Sequence, residues 1–274
     1  PYAHLHTPLP ARGPADAPWS LSGMRGLAAC GEGGQPPSFL SLDCDPQLVP
    51  APAGPPGGRV VRLDSFSKIL APGLRLGWLS APEPFVAKFR LLTEASNQHP
   101  SGASQALVRE MLRAWGPGGM DTHLRQLQLE YTRRRDVLLR ALEDAFGGGG
   151  AEVEALATWE VPTCGMFVWL RQHVWADTVD LGERLVAQGV ACVPGAYFSP
   201  PEEDATSAGH WQGARAGRKA CPYLRLTFAS ASDEDMVKGC ERIAAMLRRD
   251  YAISGRAGSS PEDGTEQIVS GEIQ

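Results

Sequence analysis

Short apolar runs alternate with helix-like stripes along these 274 residues, and this alternation limits the fold more than any other feature. The strand-like runs are residues 59–63, 74–80, 159–161, 166–170, 190–193 and 223–228. The helix-like segments are residues 82–94, 101–115, 120–146 and 179–189, and a last helix that follows Ser232 and Asp235 in a capping-box pattern. Strands that alternate with helices predict an α/β layout.

Glycine and proline mark the breaks in this pattern. The run Gly-Pro-Gly-Gly at 116–119 predicts a boundary between two subdomains, neither of which looks self-sufficient. We expect loops at 8–34 and at 45–58, where proline and glycine are dense. Residues 255–274 are polar and aperiodic, which predicts a disordered tail.

Composition and charge exclude several classes of protein. No run of about 18 apolar residues occurs, so we predict no transmembrane helix and no membrane partner. The net charge of −5 argues against a nucleic-acid binder. The six cysteines are scattered and form no cluster with zinc spacing, which predicts reduced thiols in an intracellular protein and no metal site.

The chain begins with Pro1-Tyr2 and not with methionine, so we expect that an N-terminal portion is missing. Any targeting signal would be lost with that portion. We therefore predict a cytoplasmic location and leave a mitochondrial one open.

One segment carries residues suited to chemistry. Ser65, Ser67 and Lys68 follow a strand, and the turn at 71–73 leads to Arg75. A buried lysine amine loses its proton readily and can attack a carbonyl to form a Schiff base. Two hydroxyls and one fixed cation suit a phosphate. The plain alternative is a solvated lysine at a strand end, with the arginine in an ion pair.

This segment, Ser-Phe-Ser-Lys followed by Pro-Gly-Leu-Arg-x-Gly, resembles the pyridoxal-phosphate lysine segment of fold-type I class I/II aminotransferases. Further motifs resemble the kynurenine/2-aminoadipate and aromatic amino acid branch of that family, in family order. They are Pro1-Tyr2, Pro37–Asp43, Gly58–Lys68, His99-Pro100-Ser101, Gly165–Trp169, Val193-Pro194-Gly195 and Pro222–Arg225.

The resemblance implies a pyridoxal 5'-phosphate site. Lys68 would hold the cofactor as a Schiff base and later move a proton. Ser65, Ser67 and Arg75 would bind its phosphate. Tyr2 would donate its phenol to the oxygen on the cofactor ring. The aspartate that pairs with the ring nitrogen in the family would precede residue 1.

The resemblance also implies substrate contacts. Arg225 would clamp the substrate carboxylate as a bidentate fork, the alternative being a strand arginine in a surface ion pair. His99 and Ser101 would lie near a dimer interface, or else would be a loop histidine and an ordinary helix cap. Gly165 would give the substrate room, or would be a structural glycine.

The implied fold is α/β, the PLP-dependent transferase fold type I. Residues 1–116 would be the C-terminal part of its large mixed-sheet domain, 117–254 its smaller α+β domain, and 255–274 the tail. The implied activity moves an amino group from an aromatic amino acid, kynurenine or 2-aminoadipate to a 2-oxo acid such as 2-oxoglutarate, in a homodimer.

Three alternatives stay open at this point. The chain resembles the effector domain of some transcriptional regulators, it could be an inactive truncated fragment, or it could serve another fold-type I chemistry such as a β-lyase. Lys68, Arg75 and Arg225 do not distinguish an aminotransferase from another fold-type I enzyme, because these enzymes share the three residues.

Overall fold

The computed structural model describes residues 38–43, 59–147, 156–199 and 220–254. The described residues form two compact units. The first takes those up to Arg135 together with Pro162–Met166, and the second takes those in Asp136–Val161 and from Phe167 onward. The domain boundary at 116–117 stays a prediction. The expected loops at 8–34 and 45–58, the residue Tyr2 and the expected tail lie outside the described residues.

The first unit is built on a short β-hairpin flanked by helices. Its elements are α1 (Phe39–Asp43), β1 (Arg62–Ser65), a 3-10 helix (Phe66–Lys68), a second 3-10 helix (Pro72–Leu74), β2 (Gly77–Ser80), α2 (Glu83–Ser96) and the first part of α3 (Gly102–Phe146). Strands β1 and β2 are antiparallel, with Ser65 opposite Gly77. A side chain at Gly77 would lie 2.5 Å from the Asp64 carbonyl oxygen, so the close approach of the two strands requires glycine there.

Strand β1 begins three residues later than the sequence predicted. The backbone N–H groups of Arg59 and Val60 donate to the Asp43 carboxylate, at 2.5 and 2.9 Å. A side chain therefore satisfies these two donors, and ladder pairing with β2 begins only at Arg62. The predicted strand exists, but it runs from Arg62 to Ser65 and not from residue 59 to residue 63.

The long helix α3 is interrupted at a single residue. Gly116 has φ 63° and ψ −176°, a conformation that favours glycine. The predicted break at 116–119 is therefore confined to Gly116, and the helix resumes at Pro117, where the missing N–H costs nothing in a first turn. Ser101 caps the start, since its Oγ accepts from the Ser104 N–H at 3.3 Å. Gly147, with φ 95°, ends the helix as predicted.

The described residues of the second unit form a four-stranded antiparallel sheet with three α-helical segments and a 3-10 helix. Its elements are the last part of α3, β3 (Ala157–Trp159), β4 (Phe167–Gln172), α4 (Val179–Ala187), β5 (Val193–Pro194), a 3-10 helix (Gly195–Phe198), β6 (Tyr223–Thr227) and α5 (Asp233–Ile253). The strand order is β3-β4-β6-β5. This is the α+β arrangement that the sequence predicted for the C-terminal part.

All four strands of this sheet differ from their predicted bounds, and β3 and β5 differ most. Strand β3 lies two residues earlier, because Ala157 pairs with Gln172 at the end of β4. Strand β5 is shorter than the run 190–193, because the N–H of Val190 donates to the Leu185 carbonyl at 2.9 Å and closes α4. Its edge position tolerates Pro194, which has no N–H to give to the ladder.

Alternating strand residues and one helical stripe form the core of the second unit. Buried apolar side chains come from one face of β4 and β6 and from one helical stripe of α5: Val168, Leu170, Leu224, Leu226, Met236, Cys240, Ile243 and Leu247. Ser232 caps α5, accepting from the Asp235 N–H at 3.1 Å as predicted. Within the four described ranges, no helix is long and apolar enough to span a bilayer.

The buried and exposed cysteines should differ in their reactivity towards alkylating reagents. Burial raises the pKa of the Cys240 thiol to about 12 and that of Cys192 to about 11, whereas Cys164 is exposed. Because the thiolate is the reacting species, iodoacetamide at pH 8 should label Cys164 at least about a hundred times faster than Cys240 in the native protein. Both rates are measured by digesting samples taken at timed intervals and mapping the labelled peptides by mass spectrometry. Equal rates in the native protein would contradict the burial of Cys240 in α5, since equal rates are expected only after denaturation.

Candidate active site

Lys68 is the last residue of the 3-10 helix that follows β1. Ser65 caps this helix with an extended backbone, φ −143° and ψ 137°, and its side-chain oxygen accepts from the Ser67 N–H at 3.1 Å. The N–H of Phe66 donates to the Leu76 carbonyl at 3.0 Å, which ties the helix to the segment that enters β2. The residues that follow β1 therefore form a fixed turn, and the half-buried Lys68 lies at its end.

The chain after the lysine is anchored in the interior of the first unit. Ile69 is 3% exposed, and the N–H of Leu70 donates to the Phe66 carbonyl at 2.8 Å. The Ile69 carbonyl lies 2.6 Å from Nε2 of His123 on α3. Sequence analysis assigned His123 no role, because no local pattern indicates a contact between residues 54 positions apart.

Arg75 folds back towards the lysine turn. Its backbone is in the left-handed region, φ 48° and ψ 39°, which costs a non-glycine residue on the order of 1 kcal/mol. Its Nη1 donates to the Pro72 carbonyl at 3.1 Å and to Ser67 Oγ at 3.5 Å. The structure therefore brings together four residues that the sequence singled out: Ser65, Ser67, Lys68 and Arg75.

This donor set fits an anion next to an amine. A separation of 3.5 Å between Nη1 of Arg75 and Ser67 Oγ is at the limit of a hydrogen bond, so both groups keep donor capacity for a third group. Ser65 accepts a hydrogen bond through its oxygen and retains its own hydroxyl hydrogen. A phosphate bound by the hydroxyls and the guanidinium would lie beside the residue that carries the lysine amine.

Arg225 in the second unit has an aromatic environment. It lies on β6, opposite Trp169 of β4. Its guanidinium carbon is 4.1 Å from the ring centroid of Phe167 and 4.4 Å from that of Phe198. Its Nε is buried and has no hydrogen-bond partner among the described residues. Stacking fixes the plane of the fork, and a buried donor without a partner favours an acceptor such as a carboxylate.

A glycine allows Phe198 to reach Arg225. A side chain at Gly195 would lie 2.6 Å from the Cys221 sulfur and 2.9 Å from the Tyr223 Cβ, so only glycine lets this 3-10 helix lie against the start of β6. The ring of Trp169 then meets Phe198 edge-on, with centroids 5.2 Å apart. The sequence assigned no role to Phe167 or Phe198, although Phe167 lies within the Gly-Met-Phe-Val-Trp motif and Phe198 lies three residues after the Val-Pro-Gly motif.

The structure also shows the surroundings of Ser101, His99 and Gly165, which the family resemblance related to an interface or to the substrate. Ser101 is a helix cap, as its plain alternative held. His99 is exposed, and its Nδ1 donates to the Pro100 carbonyl at 2.8 Å. Gly165 has φ 86°, a backbone conformation that favours glycine, and a side chain there would meet nothing within 4 Å; its role in giving the substrate room stays a prediction.

Comparison with known proteins places this geometry in a family. Residues 49–243 match the family model for aminotransferase class I and II. Aminotransferase tdiD of Emericella nidulans is 38% identical over 216 residues, which cover 77% of this chain and 42% of the relative. The mitochondrial kynurenine/alpha-aminoadipate aminotransferase of Bos taurus is 33% identical over 213 residues, with the same two shares. The structure of aminotransferase Aro8 from Candida albicans superposes with a TM-score of 0.67 at 28% identity, over 92% of this chain and 49% of that one.

The chain therefore belongs to the class I and II aminotransferase family, and its fold is that of the PLP-dependent fold-type I enzymes. The resemblance to the kynurenine, aminoadipate and aromatic branch is confirmed. The chain spans about two fifths of the length of the two relatives, 42% of each. Neither the family match nor these relatives support the alternative that the chain is the effector domain of a transcriptional regulator.

The family uses pyridoxal phosphate, and the residues present fit it. Ser65, Ser67 and Arg75 supply the donors that a phosphate needs, beside Lys68, whose amine suits the cofactor aldehyde. Tyr2, predicted to contact the ring oxygen, lies outside the described residues.

Proposed function

We propose that the complete protein is an aminotransferase that moves an amino group from an aromatic amino acid, kynurenine or 2-aminoadipate to a 2-oxo acid such as 2-oxoglutarate. The observation that carries this proposal is the turn that places Lys68 beside Ser67 and Arg75. The names of the relatives support the substrate class, since the bovine relative is named for kynurenine and alpha-aminoadipate.

Each residue of the lysine turn has a separate task in this proposal. Pyridoxal phosphate supplies, when bound, an aldehyde that condenses with amines and a ring that stabilises negative charge on the substrate α-carbon. Lys68 would hold that group through its amine, and the same amine would take the proton from the substrate α-carbon. Ser65, Ser67 and Arg75 bind the phosphate and so orient the group towards the lysine.

Arg225 binds the substrate carboxylate in this proposal. The planar fork matches the two carboxylate oxygens, and the rings of Phe167 and Phe198 both lie close to the guanidinium carbon, at 4.1 and 4.4 Å. Apolar rings this close reduce the access of water to the guanidinium, which strengthens its charged hydrogen bonds. An amino acid and a 2-oxo acid both carry an α-carboxylate, so one arginine serves both half-reactions.

We further propose a homodimer, with His99 and Ser101 near its interface, and an intracellular location that is cytoplasmic or mitochondrial. Tyr2 would donate its phenol to the ring oxygen of the cofactor. Residues 1–116 would belong to the large domain and residues 117–254 to the small one. The family resemblance supports the dimer, the Tyr2 contact and the domain bounds, the scattered cysteines support the location, and each is open to direct test in the complete protein.

The proposed reaction is tested with the purified complete protein, pyridoxal phosphate and 2-oxoglutarate. Glutamate release is followed by chromatography with tyrosine, phenylalanine, kynurenine and 2-aminoadipate as donors. We expect turnover with at least one of these donors that exceeds turnover with alanine or aspartate. Cofactor-loaded protein that turns over none of the four would contradict the proposal.

Loss of the Arg75 cation should weaken cofactor binding. In the complete protein, Arg75→Gln should raise the Kd for pyridoxal phosphate about tenfold or more, because a hydrogen bond to a charged group contributes about 1.5–3 kcal/mol. Titration followed by cofactor absorbance measures this. Arg113→Gln is the matched control, since Arg113 is an exposed residue of α3 in an ion pair with Glu110. Equal Kd values for both variants would remove Arg75 from the phosphate site.

A further inference from the structure

We propose that His123 is a positioning residue for Lys68. Its Nε2 lies 2.6 Å from the carbonyl oxygen of Ile69, the residue that follows the lysine. A carbonyl only accepts hydrogen bonds, so Nε2 carries the hydrogen and donates it. The inference rests on the proposed function, because it gives Lys68 the task of binding the cofactor.

The lysine turn is held at both of its ends. On the N-terminal side, the Ser65 side chain accepts from the N–H of Ser67. On the C-terminal side, Ile69 is buried and its carbonyl is bound by His123. Lys68 stands between these two anchors, so the direction of its Cα–Cβ bond is fixed from both sides.

The imidazole is itself held in place by the interrupted part of α3. The ring of Trp115 stacks on that of His123, with centroids 4.9 Å apart and planes at 32°. A side chain at Gly119 would lie 2.5 Å from the Cβ of Trp115, so this position must stay glycine for the tryptophan to lie where it does. The left-handed Gly116 sets the direction of the helix between the two rings. The Gly-Pro-Gly-Gly run therefore does more than end a helix; it supports the histidine.

Positioning should affect the reaction rate more than substrate affinity. Errors of about 1 Å in the placement of a reacting group cost rate by up to about a hundredfold. In the proposed function the substrate carboxylate binds Arg225, a residue of β6 whose guanidinium lies against Phe167 and Phe198. Loss of the His123 hydrogen bond should therefore slow the steps that use the lysine amine and leave KM nearly unchanged.

The test compares His123→Leu with His123→Gln in the complete protein. The Gln amide nitrogen reaches the position of Nε2 and can donate to the carbonyl, whereas Leu cannot. We expect His123→Leu to slow covalent attachment of pyridoxal phosphate at Lys68, trapped by borohydride at timed intervals, and to lower kcat, each about tenfold. KM should stay within about twofold, and His123→Gln should restore both rates to within about threefold of wild type.

His173→Leu is the matched control, because His173 is also part-buried and its Nε2 contacts the Thr158 hydroxyl at 3.2 Å in the second unit. It should keep both rates within about twofold of wild type. Should His123→Leu not fold, His123→Asn replaces it, because the Asn amide is one bond too short to reach the carbonyl. Thermal midpoints of all variants are measured alongside the rates.

Two results would overturn the positioning role alone. The first is wild-type rates in His123→Leu. The second is an equal loss of rate in His123→Gln and His123→Leu, with the losses in proportion to the fall in each variant's thermal midpoint. A wild-type protein that is not labelled at Lys68 would overturn the proposed function and this inference together. The two failures are therefore distinguished by the wild-type sample.

Discussion

Replacement of Lys68 by alanine should abolish the covalent attachment of pyridoxal phosphate and reduce transamination by at least about a thousandfold. The amine both binds the cofactor aldehyde and moves the proton at the substrate α-carbon, and removal of a positioned acid-base group alone costs about a hundred- to ten-thousandfold. Turnover of the best amino acid with 2-oxoglutarate measures the effect. The segment around Lys68 should stay folded, because the Ser65 hydroxyl and the backbone groups of Phe66 and Ile69 hold it without help from the lysine side chain.

Lys88→Ala is the control for this change. Lys88 lies in α2, and its side chain is exposed, so the variant should keep wild-type turnover. Free alkylamine added to Lys68→Ala should restore part of the activity if the missing group is the amine. Substantial unaided turnover by Lys68→Ala would refute the assignment of the lysine.

Replacement of Arg225 by glutamine should raise KM for the amino acid and for the 2-oxo acid by a shared factor of about tenfold or more. A bidentate hydrogen-bond pair to a carboxylate contributes about 1.5–3 kcal/mol, and 1.4 kcal/mol is tenfold in affinity. Because both substrates use the same fork, the two KM values should rise together. Arg225→Lys should recover only part of the loss, since an ammonium neither forms the fork nor stacks on Phe167 and Phe198 in the same way.

Arg171→Ala is the matched control for Arg225. Arg171 is an exposed arginine on the neighbouring strand β4, opposite Tyr223 of β6. It tests whether loss of any cation from this sheet has the same effect. We expect its KM values to stay within about twofold of wild type. A rise in KM for one substrate only, or equal effects in the two arginine variants, would show that Arg225 is not the shared carboxylate clamp.

Local chemistry made much of this fold predictable from sequence. The caps Ser101 and Ser232 and the terminating Gly147 were readable because side chains and backbone preferences within a few residues determine them. Strand bounds were less predictable, since partners from elsewhere in the chain determine them. Strand β1 starts late because the Asp43 carboxylate takes the N–H groups of Arg59 and Val60.

In the candidate site, too, contacts between residues close in sequence were predictable and contacts between distant residues were not. Ser65, Ser67, Lys68 and Arg75 lie within 11 residues of sequence, so their proximity was predictable from the motif. The aromatic rings that enclose Arg225 and the hydrogen bond from His123 to Ile69 come from distant positions. No single-sequence pattern records such contacts, because they depend on how strands pair and where α3 bends.

The central claim is that Lys68 is the residue that carries the cofactor. Its most direct test is to reduce the complete protein with borohydride in the presence of pyridoxal phosphate, digest it, and map the label by mass spectrometry. The account predicts one pyridoxyl group on the peptide that contains Lys68, with Lys88, Lys219 and Lys238 unmodified. Label that is absent from Lys68, or spread evenly over Lys68, Lys88, Lys219 and Lys238, would contradict it.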